Sequence, residues 1–237
     1  MSWIDLLFLA LILGVAPLYS LWGYRKLERD LEAGRRGSRV CEYAESIVLS
    51  LLFGLPAIWT CIERGRPLEA IGLSWPSGPG VWPALALTGA IVWFLTAQLR
   101  RVRQTDRELR GAEQIESVRA MLPETARERR WFAAAALSAG VFEEVVYRGY
   151  LIALFDLHLP LFGAVLLSSV AFAWIHIYQG WGRLPTIFVG SLVAAALLVW
   201  TGSLLLPVIL HAFIDINSSL TARAVLDKRA APAPGRP

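Results

Sequence analysis

Long apolar stretches, separated by short blocks that hold most of the charge, constrain this 237-residue chain more than any other feature. A bilayer-crossing helix needs about 20 mainly apolar residues. Candidates occur at 3–23, 43–62, 81–99, 131–156, 160–177, 184–200 and 203–222. The last three are short or closely spaced, so the pattern admits six to eight spans. Charged residues make up 18% of the chain, against about 25% in a soluble domain. The reading is therefore all-α: a polytopic membrane helix bundle of about seven transmembrane helices. One bundle occupies 1–222, and 223–237 reads as a disordered cytoplasmic tail because its end is rich in Ala and Pro.

The net charge of +4 does not point to nucleic acid, because the basic residues sit in loops and no aromatic-interleaved basic motif occurs. Residues 25–39 contain Arg25, Lys26, Arg29, Arg35, Arg36 and Arg39, and 100–130 is richer still in arginine. The loops at 63–80, 156–160 and 201–203 are nearly free of basic residues apart from Arg64 and Arg66. Basic loops stay in the cytoplasm, so seven spans put the N-terminus outside and the C-terminus inside, across the plasma membrane. The N-terminus has no basic stretch or small-residue cleavage site, and 3–22 reads as a retained span. The Arg- and Ala-rich composition points to a bacterial source. Within 100–130, alternating charge with sparse apolar residues predicts an amphipathic helix ending near Pro123. Cys41 and Cys61 flank one apolar run, about 30 Å apart on a single helix, and cannot pair.

The fourth candidate span carries Glu143, Glu144 and Arg148 between uncharged flanks. Each ionisable group at bilayer depth costs roughly 2.5–3.5 kcal/mol even on a lenient scale, so three of them must be paired, solvated or used. Glu144 and Arg148 are four apart and share a face, which makes an internal ion pair the ordinary structural reading. Glu143 points about 100° away and has no cation one turn on, so it is the candidate general base. A neighbouring helix bonding a protonated Glu143 is the structural alternative.

Of the three histidines, His158 lies in a turn at the membrane edge and reads as incidental, whereas His176 and His211 lie in apolar segments. Asp215 follows His211 by four residues, on the same face, and either orients it, shares a metal with it or bonds backbone. One carboxylate and two imidazoles are what activating a water requires. They act either by holding a Lewis-acid metal, with Zn2+ the natural candidate for His176, His211, Glu143 and Asp215, or by direct proton removal at Glu143.

The order Glu143-Glu144-x-x-x-Arg148, Phe172-x-x-x-His176, His211-x-x-x-Asp215 resembles the CPBP family of intramembrane proteases, the CAAX-prenyl-protease type also called Abi. The resemblance covers about 131–222, and Ile71-Gly72-Leu73-Ser74-Trp75 is weakly similar to a loop upstream in bacterial members. It implies a hydrolase: an endopeptidase with a cavity open to membrane and cytosol, acting on a membrane-anchored peptide or protein. By similarity Glu143 is the base, His176 holds the same water, His211 and residue 215 stabilise the oxyanion or assist positioning, and Glu144 with Arg148 supports the site. The prenyl-processing members are similar but carry Asn at the last position. An ionised Asp215 cannot donate to an oxyanion, so it is protonated, orients His211 or binds metal. A non-proteolytic immunity or scaffold factor and a proton-coupled transporter are the competing readings. The transporter predicts inverted repeats, and none is evident. Substrate identity and oligomeric state are not legible.

Overall fold

The computed structural model describes residues 2–104 and 115–230. Seven long helices run through them: α1 (Trp3–Glu32), α2 (Ser38–Glu63), α3 (Val81–Gln104), α4 (126–155), α5 (Leu161–Ile175), α6 (Leu184–Thr201) and α7 (Leu205–Ala230). All but α4, taken with their flanking turns, are long and apolar enough to cross a membrane. The outer surface agrees with that, since Leu18, Leu52, Trp93, Phe94 and Phe162 are exposed, and contiguous exposed apolar surface of this kind suits lipid. The chain is thus a multi-pass helical membrane bundle with α4, the charged helix, at its centre.

Local chemistry sets the helix limits. Ser2 and Asp5 form a capping box at the start of α1, and Thr125 and Glu128 form another at the start of α4. Gly202, at φ 65°, ends α6, a left-handed position that glycine adopts without a Cβ penalty. Ser203 accepts from the Leu205 amide at the head of α7. Two helices run past the sequence expectation: α1 continues to Glu32, and α7 to Ala230, into the stretch read as a disordered tail from 223. A charged sequence does not stop a helix once it leaves the bilayer. Residues 231–237 of that tail lie outside the described residues, as does the part of the amphipathic helix expected within 100–130 that falls at 105–114. Nearby, Arg119–Met121 forms a single 3₁₀ turn.

Two π-helical turns interrupt the bundle, Leu11–Val15 in α1 and Val145–Leu151 in α4. The first precedes Pro17, which has no amide to give the Leu13 carbonyl. The indole Nε1 of Trp174 on α5 donates to that carbonyl instead, at 3.0 Å. In the second, the Ser168 hydroxyl of α5 donates to the Tyr147 carbonyl. Residues 145–151 are all buried, and they centre the main apolar cluster, with Ile12, Ala57, Phe172 and Leu204 around them.

Close approach fixes the neighbours of α4. A Cβ on Gly54 of α2 would stand 2.3 Å from the Phe142 ring, and one on Gly149 would stand 2.7 Å from the Ile71 carbonyl. The segment 71–75 is a strap across the α6–α7 turn. Leu204 donates to the Gly72 carbonyl at 2.8 Å, Ser74 Oγ to the Gly202 carbonyl at 2.8 Å and Ser203 Oγ to the Ser74 carbonyl at 2.5 Å. Cys41 and Cys61 both lie on α2 and are free.

Candidate active site

Three helices bring the polar residues together. Glu143, Glu144 and Arg148 come from α4, His176 from the turn that ends α5, and His211 and Asp215 from α7. Glu144 is fully buried and Arg148 nearly so, with Arg148 Nη1 3.0 Å from Glu144 Oε1, the ion pair expected from their spacing. Glu144 also does something the sequence did not disclose: its Oε1 accepts from Nδ1 of His211 at 2.7 Å. Asp215 is not the residue that orients this ring. Its Oδ2 stands 3.7 Å from His211 Nε2, beyond hydrogen-bond range, and its side chain is 39% exposed.

His176 is fixed by its own helix end. Its Nδ1 lies 2.8 Å from the Phe172 carbonyl. A carbonyl only accepts, so Nδ1 carries the hydrogen and Nε2 of the neutral ring keeps its lone pair. That Nε2 faces Glu143 Oε2 at 3.9 Å, and His211 Nε2 faces the same oxygen at 3.8 Å. Glu143 Oε2 is buried and has no hydrogen-bond partner among the described residues.

Phe172 is the hub of the cluster. The Arg148 guanidinium carbon lies 4.0 Å from its ring centroid, within cation–π range. The Tyr147 ring meets it edge-on at 5.2 Å and the His211 ring at 5.7 Å, while the His176 ring is 4.7 Å away. Glu144 Oε2 and Arg148 Nε have no hydrogen-bond partner among the described residues, so this aromatic face is an important part of what holds the buried guanidinium.

Two cavities reach Glu143 and His176. The larger, about 260 Å³, runs between α1 and α2, and the smaller, about 160 Å³, contains Tyr178, Arg183, His211 and Asp215. Sequence reasoning did not single out Tyr178 or Arg183, and it took Phe172 only as a member of the Phe172-x-x-x-His176 motif. The spacing of Phe172 and His176 could have shown that they share a face, whereas Tyr178 and Arg183 carried no local signal. His158 lies in the turn after α4, away from the cluster.

The donor atoms stand farther apart than an ideal tetrahedral zinc site sets them. Bonds of about 2.0–2.2 Å in a tetrahedral site set ligand atoms roughly 3.4 Å apart. Here the pairs stand at 3.9, 3.8 and 3.7 Å. No group of three or more His, Cys, Asp or Glu side chains suited to a metal forms among the described residues. The expectation of a metalloprotease gains no support from this arrangement.

Comparison with curated proteins and with solved structures gives no match. The family model described as "Type II CAAX prenyl endopeptidase Rce1-like" matches residues 126–217, from the first turn of α4 to the middle of α7. That stretch contains Glu143, Glu144, Arg148, His176, His211 and Asp215. Over residues 126–217 the chain is thus similar to the CAAX-type family of intramembrane proteases.

Proposed function

We infer that the protein is an intramembrane endopeptidase that hydrolyses a peptide bond in a membrane-anchored peptide or protein, with Glu143 as the general base. The observation that carries this reading is the convergence of one carboxylate oxygen and two imidazole Nε2 atoms, at 3.9 and 3.8 Å, on the edge of two cavities. These separations are too long for direct hydrogen bonds and suit groups bridged by one water.

In the proposed reaction the water donates one hydrogen bond to His176 Nε2 and the other to Glu143. Glu143 takes the proton as the water oxygen attacks the scissile carbonyl carbon. His211, when both nitrogens carry hydrogen, donates from Nε2 to the oxyanion, while Nδ1 stays bonded to Glu144. Glu143 then gives its proton to the departing amine as the C–N bond breaks, and the acid product is left with the former water oxygen. Asp215 assists as a donor in its protonated form, and Arg148 holds Glu144 in place.

The test is cleavage of a panel of membrane-tethered peptides by the purified protein, Glu143→Ala and His176→Ala. Loss of cleavage by about 10²–10⁴-fold in Glu143→Ala is expected of a general base. An intact protein that cleaves none of the panel, or variants that cleave as well as it does, would exclude the assignment and favour a scaffold role. We also assign the N-terminus to the outside and the C-terminus to the cytoplasm of the plasma membrane, supported by the basic residues at 25–39 and 100–130. Cys41 modified by an impermeant thiol reagent only after the membrane is opened would agree with that orientation, and its modification in intact cells would reverse it.

A further inference from the structure

The larger cavity has a graded lining. At one end α1 and α2 contribute Ile12, Val15 and Phe53, and at the other Gly23, Glu42 and Glu45. Glu42 and Phe53 are eleven positions apart, about 16 Å along one helix. Glu42 lies in the first turns of α2, next to the basic stretch 25–39, so the acidic end is the loop side and the apolar end is the deep side. Gly23 lies beside Glu42, where a Cβ would meet Glu42 Oε1 at 3.6 Å, an ordinary contact. Glu45 is held by the Tyr19 hydroxyl, which donates to it. Glu42 makes no hydrogen bond or ion pair among the described residues. The protein's own cation on this side, Lys26, acts on Glu42 only through space, without an ion-pair contact, and its ammonium lies 5.8 Å from the Trp22 ring centroid. Tyr147, 3% exposed, also lines the slot, and its hydroxyl has no hydrogen-bond partner among the described residues. A carboxylate in apolar surroundings is stabilised when a cation joins it.

We propose that this slot is the substrate subsite beside Glu143, taking an apolar stretch in its deep end and a lysine or arginine side chain at Glu42 and Glu45. The substrate class is then a polypeptide anchored by an apolar segment whose basic flank lies at the loop side, the flank that membrane spans carry toward the cytoplasm. Tyr147 supplies a hydroxyl to the peptide backbone between the two. The assignment rests on the hydrolytic reading of Glu143, but binding tests it separately.

Fluorescent peptides with an apolar run followed by Lys, Gln or Glu would be titrated against the full-length Glu143→Ala protein in lipid nanodiscs, so that affinity is read without turnover. The Lys peptide should bind about tenfold more tightly than the Gln peptide, the worth of one charge-assisted hydrogen bond. Adding Glu42→Gln should bring the ratio near one, and Glu42→Lys should turn the preference toward the Glu peptide. Glu42→Gln leaves the Tyr19–Glu45 contact untouched, and unchanged thermal unfolding would show that the fold is intact. Equal binding of the Lys and Gln peptides, or a preference that persists in Glu42→Gln, overturns the subsite. Cleavage by the unsubstituted protein is measured in parallel. Preference without cleavage keeps the subsite and counts against hydrolysis, and cleavage without preference does the reverse.

Discussion

His211 donates from Nδ1 to Glu144 Oε1 at 2.7 Å, joining α7 to α4 across 67 residues of sequence. The same oxygen lies 3.0 Å from Arg148, so one carboxylate sets the orientation of an imidazole and neutralises a guanidinium. Glu144→Ala strands a buried cation and is expected to cost about 3–5 kcal/mol. Glu144→Ala with Arg148→Met should recover much of that loss in detergent thermal unfolding. No recovery would mean that the charge pair is not what Glu144 contributes. Glu144→Gln keeps an acceptor for His211, so its cleavage rate should exceed that of Glu144→Ala.

Phe172 should behave as part of the electrostatics, not only as core. Phe172→Leu keeps much of the volume but removes the ring face beneath Arg148, and should lower stability by about 1–2 kcal/mol. Phe172→Ala, which also opens a cavity, should cost about 3–5 kcal/mol. Unfolding of both variants beside Arg148→Met checks this: if Phe172→Leu is as costly with Met at 148 as with Arg, the cation–π contact contributes nothing.

Gly54→Ala drives a methyl into Phe142, the residue before Glu143, at a starting separation of 2.3 Å. Overpacking of this kind costs about 1–3 kcal/mol, and cleavage should fall with stability. Phe142→Leu in the same chain should restore part of both. A single Gly54→Ala variant with unchanged melting and turnover would show that α2 and α4 can move apart freely.

Trp174→Phe removes the donor that reaches the Leu13 carbonyl. Lipid offers no replacement for a lost hydrogen bond, and a stranded carbonyl costs about 1–3 kcal/mol. The variant should melt lower, whereas Trp174→Phe with Pro17→Ala, which returns an amide to α1, should melt closer to the unsubstituted protein. Equal losses in the single and double variants would sever the link between Pro17 and Trp174.

Much of the fold was legible because lipid leaves few choices. The starts and ends of α3 to α6 follow the apolar runs within about five residues, and Gly202 and the box at Thr125 and Glu128 mark turns by known local chemistry. The extension of α1 past Arg25 and of α7 past Arg223 was not legible, because a hydropathy pattern ends where the bilayer ends and a helix need not. In the site, Glu143, His176 and His211 announced themselves as ionisable groups in apolar surroundings. The bond between Glu144 and His211 did not, since nothing local to either residue encodes a partner 67 positions away. The weak resemblance at 71–75 has a physical counterpart in the strap over Gly202, Ser203 and Leu204.

The π-turn at Val145–Leu151 has a consequence for how this helix varies. A π-turn holds one residue more than the α-helical turn it replaces, and one residue is about 100° of rotation. It therefore acts as a phase shifter between two halves of one rod. The half before it aims Glu143, and the half after it packs Ile152 and Leu154 into the bundle. Deleting a single residue there would leave composition, length and hydropathy almost unchanged and yet turn the reactive carboxylate away from its histidines.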